Sequence, residues 1–448
     1  MVDKDLLNHR LAGATRRGVV AGLAGMLALP RALRAQSTVF DIDVAIVGAG
    51  AAGIAAAHAL RARGKSYVIL EARDRVGGRV FTDTSLGAPF DAGAIYIHWA
   101  EKNPWRDIAA SLGARTINSD TLNAPSRFYE NGQLASRRGQ RGGMEAVSKL
   151  LDTDEGPVPD ISIVERVAGL PEDERGGGAA IARMALGDEP EHISALDYAR
   201  LWSGDDLILP DGYGALVRRH ADGLDIRLST PVTAIDWSGQ GVALDTPAGR
   251  LRARAAIVTV PVGVLKAGSI RFTPALPATT LEGLEGLGMG ALTKLGLKFN
   301  GARFGLPAGG DLWDRLGPRA SFDFECWPFN RDIVVALFGG DHAREIVARG
   351  EREAIAHVLD EFVRLVGADA RKAFTGGALH GWCADPYSMG CYSHARPGHA
   401  DARAKLATPV ADRLYFAGEA TGGADFGGAM TAGGAYLAGR DAARAMDL

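Results

Sequence analysis

The stretch Val44–Glu71, VAIVGAGAAGIAAAHALRARGKSYVILE, decides the fold. Four apolar residues, Val44–Val47, predict a short buried strand, and Gly48, Gly50 and Gly53 then fall on a G-x-G-x-x-G spacing. The Ala-rich segment after them predicts a helix, and Tyr67–Leu70 a second strand that ends on Glu71. The three glycines serve different ends. Gly48 allows a tight turn, Gly50 lets the backbone approach a pyrophosphate, and Gly53 packs helix on strand. The helix N-terminus offers free N–H groups and a partial positive charge to the phosphates. Glu71 stands eighteen residues past Gly53, where a carboxylate at a strand end reaches ribose hydroxyls. The glycines alone would fit any strand–turn–helix unit; with the strand, the helix and the acid they specify a dinucleotide site.

Working outward, 448 residues that are 47% hydrophobic exceed one core, so two domains are expected. Charge is nearly balanced at −3 and aromatic content is ordinary, which gives no reason to expect a nucleic-acid partner. Thr15-Arg16-Arg17 precedes an apolar run, Val19–Leu29, and Ala35 suits the residue before a cleavage point. That run is shorter than the roughly 20 residues a membrane span needs. Residues 1–35 therefore read as a twin-arginine signal, engaging the export machinery and implying a periplasmic mature chain. A frayed tail or an uncleaved anchor is the alternative. No later segment is long and apolar enough to cross a membrane, so no stable anchor is expected in the mature chain. Residues 1–35 are net basic, so the remainder is mildly acidic, which slightly favours cationic ligands. Cys326, Cys383 and Cys391 are too few for a disulfide framework.

After Glu71 come Arg73 and the run Gly77-Gly78-Arg79. Two glycines followed by an arginine form a loop that can pass close to a phosphate and pair with it bidentately; otherwise it is a surface turn. At this point GAGAAG…LEARDRVGGR resembles the entry to the flavin-dependent amine oxidase family, which includes monoamine oxidases, polyamine oxidases and lysine demethylases. Asp91-Ala-Gly-Ala-Ile95-Tyr-Ile-His98-Trp99 is similar to the family's D-x-G-A segment, which runs under the flavin ring. The resemblance implies that Ile95 meets the cofactor and that His98 stands where polyamine oxidases often carry a substrate-facing histidine. As a residue, His98 reads equally well as a packed, hydrogen-bonded core histidine.

Residues 111–205 are less legible: helical patches such as Met144–Leu151 and Ile181–Leu186 alternate with loops such as Pro171–Glu174. From Leu224 to Pro261 the period becomes two. Val232–Trp237, Val242–Leu244 and Leu251–Arg254 read as short strands leading into a buried strand, Ala256–Val260. Val232 is a strand former whose contact with the adenine is implied only by the resemblance. In Thr293–Phe299, Leu295, Leu297 and Phe299 share one face while Lys294, Gly296 and Lys298 share the other. Periodicity offers both lysines alike; the resemblance selects Lys294, as the lysine that holds a water against flavin N5. Burial there should depress its pKa. Asp341–Val366 predicts one charged amphipathic helix with a structural role.

The run Trp382-Cys-Ala-Asp385-Pro-Tyr-Ser-Met-Gly390-Cys391-Tyr392-Ser393 resembles the family's W-x-x-D-P-x-S-x-G-x-Y-S block. By that likeness Trp382 walls the flavin and Tyr392 is one side of an aromatic cage, a surface that tolerates the partial positive charge of an amine. Cys391 matches the cysteine through which monoamine oxidases attach the flavin; an inert buried thiol is the alternative. Glu419 follows a strand, Arg413–Phe416, and matches a residue on the cofactor's diphosphate and ribityl region. Thr431 occupies the place of the second cage tyrosine, so the cage is half built, and a helix from there aims its dipole at the flavin.

The resemblance thus implies an α/β fold: a Rossmann-like, glutathione-reductase-like FAD-binding domain with an inserted α+β substrate domain. The boundaries expected are 39–110, 206–275 and 405–448 for the FAD domain, and 111–205 and 276–404 for the substrate domain. The implied reaction is oxidation of a small-molecule amine by FAD and O2, with hydride passed to flavin N5 and H2O2 released. No metal-ligand spacing is present. An L-amino-acid oxidase would need an arginine where His98 stands, a desaturase or isomerase would not need Lys294, and a non-catalytic flavin-binding protein is the alternative from another class. Neither the amine nor the oligomeric state can be read from the sequence.

Overall fold

The computed structural model describes residues 40–448 apart from 123–124, 136–144, 318 and 423–426, so the export signal read in residues 1–35 lies outside the described residues, as does Met144. The first strand, Ile42–Val47, sits between two parallel neighbours, Tyr67–Leu70 and the long strand Gly249–Val258. Its inner residues Val44–Ile46 are fully buried, which is why they read as an unbroken apolar run. The eight-stranded sheet continues outward on one side to Ile226–Arg227. On the other it runs through Val242–Thr246 and Ala234–Asp236 to Arg271–Thr273, with Leu414–Phe416 also paired to Gly249–Val258.

Two expected strands, Leu251–Arg254 and Ala256–Val260, are one. Gly249–Val258 runs antiparallel to Val242–Thr246 along its first half and parallel to Ile42–Val47 and Leu414–Phe416 along its second. The exposed alternating half and the buried apolar half are two environments of a single strand, with no Gly or Pro to break it. Val232 lies just before the strand Ala234–Asp236, beside Pro231, rather than within it.

A seven-stranded sheet forms the second layer, in the order Phe374–His380, Thr293–Phe299, Ile333–Phe338, Ser321–Cys326, Gly310–Arg315, Ser126–Glu130, Gln133–Leu134. Leu295, Leu297 and Phe299 are buried against Val358, Leu359 and Phe362. The other face carries Lys294 and Gly296; a Cβ at Gly296 would come within 2.7 Å of Leu86. The expected helix Asp341–Val366 is two, Gly340–Ala348 and Glu351–Val366, parted at Gly350, whose φ of +83° is left-handed. Pro171–Glu174, read as a loop, opens the helix Glu172–Ile181: a proline followed by acids is a helix start. That helix passes into a π-helical turn, Ala182–Leu186, and π-turns of this kind recur at functional sites.

The last helix, Ala432–Ala445, packs on Ala51–Ala62 through a glycine: a Cβ at Gly439 would lie 1.9 Å from the carbonyl oxygen of Ala52. Gly439→Ala is therefore expected to destabilise the protein by about 1–3 kcal/mol through overpacking, seen as a lower urea midpoint. Gly239→Ala, where nothing lies within 4 Å of the added methyl, should leave stability within about 0.5 kcal/mol.

Candidate active site

A cavity of about 760 Å³ runs from the turn after the first strand to the face of the second sheet. Of the site residues singled out in the sequence, all but Gly53 line it. Gly53 lies behind, where a Cβ would meet the Gly48 carbonyl oxygen at 1.9 Å. Gly48 has a φ of +107°, and its Cβ would collide with Thr259 Oγ1 at 2.6 Å. Gly50 caps the helix Ala51–Ala62 with no side-chain bond, and nothing lies within 4 Å of where its Cβ would be. The first N–H groups of a twelve-residue helix therefore face the cavity, which Ala51 and Ala52 line.

Beside this turn the Glu71 carboxylate is buried. It accepts from the backbone N–H of Ala49 (2.7 Å) and of Arg73 (2.9 Å), so it braces the glycine turn from the cavity side. Gly78 comes close as well, a Cβ there lying 3.4 Å from Gly50 Cα. Arg73 and Arg79, the second of them expected on phosphate, both have protein partners. Arg73 donates to Asp385 (2.7 Å) and Ser388 (2.7 Å), and Arg79 to Glu419 (3.0 Å) and the Cys391 carbonyl (2.7 Å). Glu419 also accepts from the Ser393 hydroxyl (2.7 Å) and N–H. It reaches the cavity as the keystone of an ion pair rather than as a free acid.

At the other end, Lys294 and Trp382 hold consecutive carbonyls of one segment. Lys294 Nζ donates to Gly93 O (2.8 Å), and Trp382 Nε1 to Ala92 O (2.9 Å). Burial lowers the Lys294 pKa, opposed by the nearby carboxylates of Asp91 and Glu325. Lys298, on the same face, is only partly buried and lines no part of the cavity. Tyr392 OH donates to the Ala185 carbonyl (2.8 Å) in the π-turn, which fixes the ring as a wall. Cys391 Sγ accepts from Leu292 N–H (3.1 Å) and is packed against Gly187, and burial pushes the thiol up to about 12.

Thr431 caps the helix Ala432–Ala445. Its Oγ1 accepts from Gly434 N–H (3.0 Å) and donates to Gly428 O (2.8 Å). The position contributes a helix end to the cavity instead of a ring. His98 Nδ1 lies 2.9 Å from Asp206, and the side chain is about a third exposed at 37%.

Three acids were not singled out in the sequence: Asp311, Asp323 and Glu325. The strand Ser321–Cys326 alternates Phe with acid, which in sequence reads as a solvated face. Here that face turns toward Tyr96 and Lys294. Glu325 lines a cavity of about 40 Å³ that shares Ile95, Tyr96, Lys294 and Leu337 with the large one. Burial and the neighbouring Asp311 raise Glu325 to about 7. Asp311 is raised to about 6 and Asp323 further, chiefly by burial. Asp323 Oδ1 has no hydrogen-bond partner, and Glu325 makes no hydrogen bond or ion pair with a described residue.

Residues 51–447 match the family described as flavin containing amine oxidoreductase. Polyamine oxidase 4 of Oryza sativa subsp. japonica is 29% identical over 438 residues, covering 90% of this chain and 88% of its own. Polyamine oxidase 2 of Arabidopsis thaliana is 30% identical, covering 85% and 83%. Lysine-specific histone demethylase 1B of Mus musculus is 26% identical, covering 95% of this chain but 55% of its own. Among solved structures, putrescine oxidase bound to putrescine matches with a TM-score of 0.73 at 22% identity, over 90% of this chain and 98% of its own. Cyclohexylamine oxidase from Brevibacterium oxydans matches with a TM-score of 0.73 at 24% identity, over 91% and 98%.

Burial raises the pKa of all three cysteines, and all three are unpaired. Since the thiolate is the reactive form, a disulfide reagent at about pH 7.5 should label the native protein slowly and incompletely. Cys326 and Cys383 should react at once in guanidinium chloride. Fast stoichiometric labelling of native Cys391, located by peptide mapping, would contradict the geometry described.

Proposed function

The chain belongs to the flavin containing amine oxidoreductase family, and we propose that its substrate is a diamine or polyamine, oxidised at the carbon next to one nitrogen with O2 as electron acceptor and H2O2 as product. The cofactor is FAD, and the site suits it. The uncapped helix N-terminus at Gly50, the open space over that glycine and the adjacent Glu71 carboxylate form a cradle for a diphosphate and a ribose. When bound, FAD supplies a two-electron acceptor that O2 can restore.

The chain's own residues prepare the substrate. The chamber walls are largely apolar, with Trp382, Tyr392, Leu292, Leu337, Met184 and Met430 among them. Such walls disfavour the ammonium form and favour the neutral amine whose lone pair the reaction needs. Tyr392, held by Ala185, limits how the amine can turn, and fixing the reacting C–H is worth a large part of the barrier. Lys294, with one donor engaged by Gly93, has further hydrogen-bonding capacity for a water between itself and the cofactor. Cys391 lines the same chamber, and attachment of the cofactor through its sulfur belongs to this proposal. Colour that stays with the denatured protein would support attachment, and colour that washes away wholly would end it.

One observation carries the choice of a dication: Glu325, a half-buried carboxyl that makes no hydrogen bond or ion pair with a described residue, beside Lys294 and Tyr96. A second ammonium placed there would give it a direct ion pair. An amino-acid substrate is less well served. Among the described residues lining the two cavities the arginines are Arg73, Arg79 and Arg331. The first two are ion-paired, and the third donates to the Pro89 and Pro210 carbonyls.

Glu325 binds a cation only as carboxylate, so affinity for a dication should rise as pH passes upward through about 7. With putrescine, spermidine and cyclohexylamine compared, KM for the first two should fall more between about pH 6 and 8 than KM for the monoamine. Glu325→Gln should remove that difference and raise the diamine KM roughly tenfold, about 1.4 kcal/mol. An unchanged diamine KM in Glu325→Gln would refute the dication reading.

Lys294→Met should act on the second half of the cycle. Stopped-flow reoxidation of the reduced protein by O2 should slow by roughly 10²-fold, with anaerobic bleaching by the amine far less affected. The opposite pattern would remove Lys294 from the role proposed.

A further inference from the structure

His98 stands at the end of a short ladder. Tyr96–Ile97 pairs antiparallel with Leu207–Ile208, Tyr96 opposite Ile208 and Ile97 opposite Leu207, so one step further sets His98 opposite Asp206. One carboxylate makes two contacts there. Asp206 Oδ2 is 2.9 Å from His98 Nδ1, and Oδ1 accepts from Trp99 N–H at 3.1 Å. Trp99 has a φ of +53°, a region side-chain-bearing residues rarely adopt. The neighbouring backbone is held as well, with Asn103 Nδ2 donating to His98 O (2.8 Å) and Ala100 N–H to Asp205 O (2.7 Å).

A carboxylate only accepts hydrogen bonds, so the facing Nδ1 carries the hydrogen. In the neutral ring Nε2 is then the bare acceptor. Nε2 makes no hydrogen bond with a described residue, and His98 lines the large cavity. Geometry therefore offers one lone pair, on a ring held by Asp206, at the chamber where an ammonium must become an amine.

We propose that Asp206 is a positioning residue that makes His98 Nε2 the acceptor of the substrate's ammonium proton; this rests on the amine reading above. In the step, the N–H bond of the ammonium breaks, an Nε2–H bond forms, and the pair freed stays on the amine nitrogen. The imidazolium formed is held by the Asp206 carboxylate, and its proton leaves to water through the exposed part of the ring. The other charges close by are Glu101 and Asp205, the acids Asp311, Asp323 and Glu325 near Tyr96, and Lys102, whose ammonium lies over Trp202. Most of these are acidic.

Asp206→Asn separates positioning from scaffolding. Its amide oxygen can still accept from Trp99 N–H, but its amide nitrogen would donate to Nδ1 and turn Nε2 into a donor. In the holoenzyme at about pH 7, with the fastest-bleaching amine among putrescine, spermidine and cyclohexylamine, anaerobic flavin reduction should slow by about 10²-fold. The loss should shrink severalfold near pH 10, where roughly a quarter of an alkylamine arrives unprotonated against far less at pH 7, and His98→Ala/Asp206→Asn should be no slower than His98→Ala. A normal rate at neutral pH, a loss undiminished at alkaline pH, or additive losses would overturn the assignment. Should Asp206→Asn not accumulate, Asp206→Glu keeps the charge on a longer arm and should show a smaller loss, again recovered at alkaline pH. A loss that persists there would also overturn it. His98→Ala bleaching normally would defeat the proton acceptor while leaving the amine reading intact. If none of the three amines bleaches the unaltered protein, the amine reading fails first and takes this assignment with it.

Discussion

A lysine loses most of its hydration when it is walled into an apolar chamber, and the site is arranged around how Lys294 survives that loss. Its ammonium has one carbonyl, Gly93 O, and the field of Asp91 and Glu325. Asp91 is in turn a buried carboxylate that needs partners, and it takes them from the Thr82 hydroxyl and the N–H of Tyr213. Thr82 also accepts from Gly214 N–H. So the demand of one buried charge propagates from the second sheet, through the segment Asp91–Gly93, to the helix Tyr213–His220. Trp382 adds a second tie through Ala92 O, and His380 a third through Asp83 at 2.7 Å. Removing one partner from such a chain leaves an uncompensated buried group, a far larger penalty than losing a surface pair.

The same seam shows which parts of the protein were legible in the sequence. Gly48 and Gly53 were readable because each answers a steric demand written close by in the chain. Lys294 was ambiguous with Lys298 by period alone, since a strand face does not say which of its residues meets a neighbouring segment. Asp206 and Glu325 were illegible for a related reason. Their meaning comes from a partner 108 residues away in the case of Asp206, and from the missing partner in the case of Glu325. The long strand Gly249–Val258 misled because burial changes along it. The break at Gly350 was in plain view, yet a helical pattern of apolar residues on both sides concealed it. Thr431 was placed correctly as the start of a helix, but its hydroxyl is engaged as the cap.

Thr431 brings a helix end, not a ring, to the cavity. Thr431 could become aromatic only by giving up the bond to Gly434 N–H, at a cost of about 1 kcal/mol typical for a lost cap. A ring there would also crowd a turn in which a Cβ at Gly434 would already lie 1.8 Å from Gly428 O. The helix end kept in its place presents a partial positive charge to the cavity. The chamber nonetheless has rings among its walls, Tyr392, Trp382 and Tyr96. The acids behind Tyr96 are raised by burial, and Glu325, once ionised, would favour one end of a dication over the other. Glu325, poised to ionise near neutrality, also avoids a full buried charge while the chamber is empty: it stays partly protonated until a cation arrives. Binding of a cation there would then release a proton from Glu325, so the charge that receives the ligand is made by its arrival.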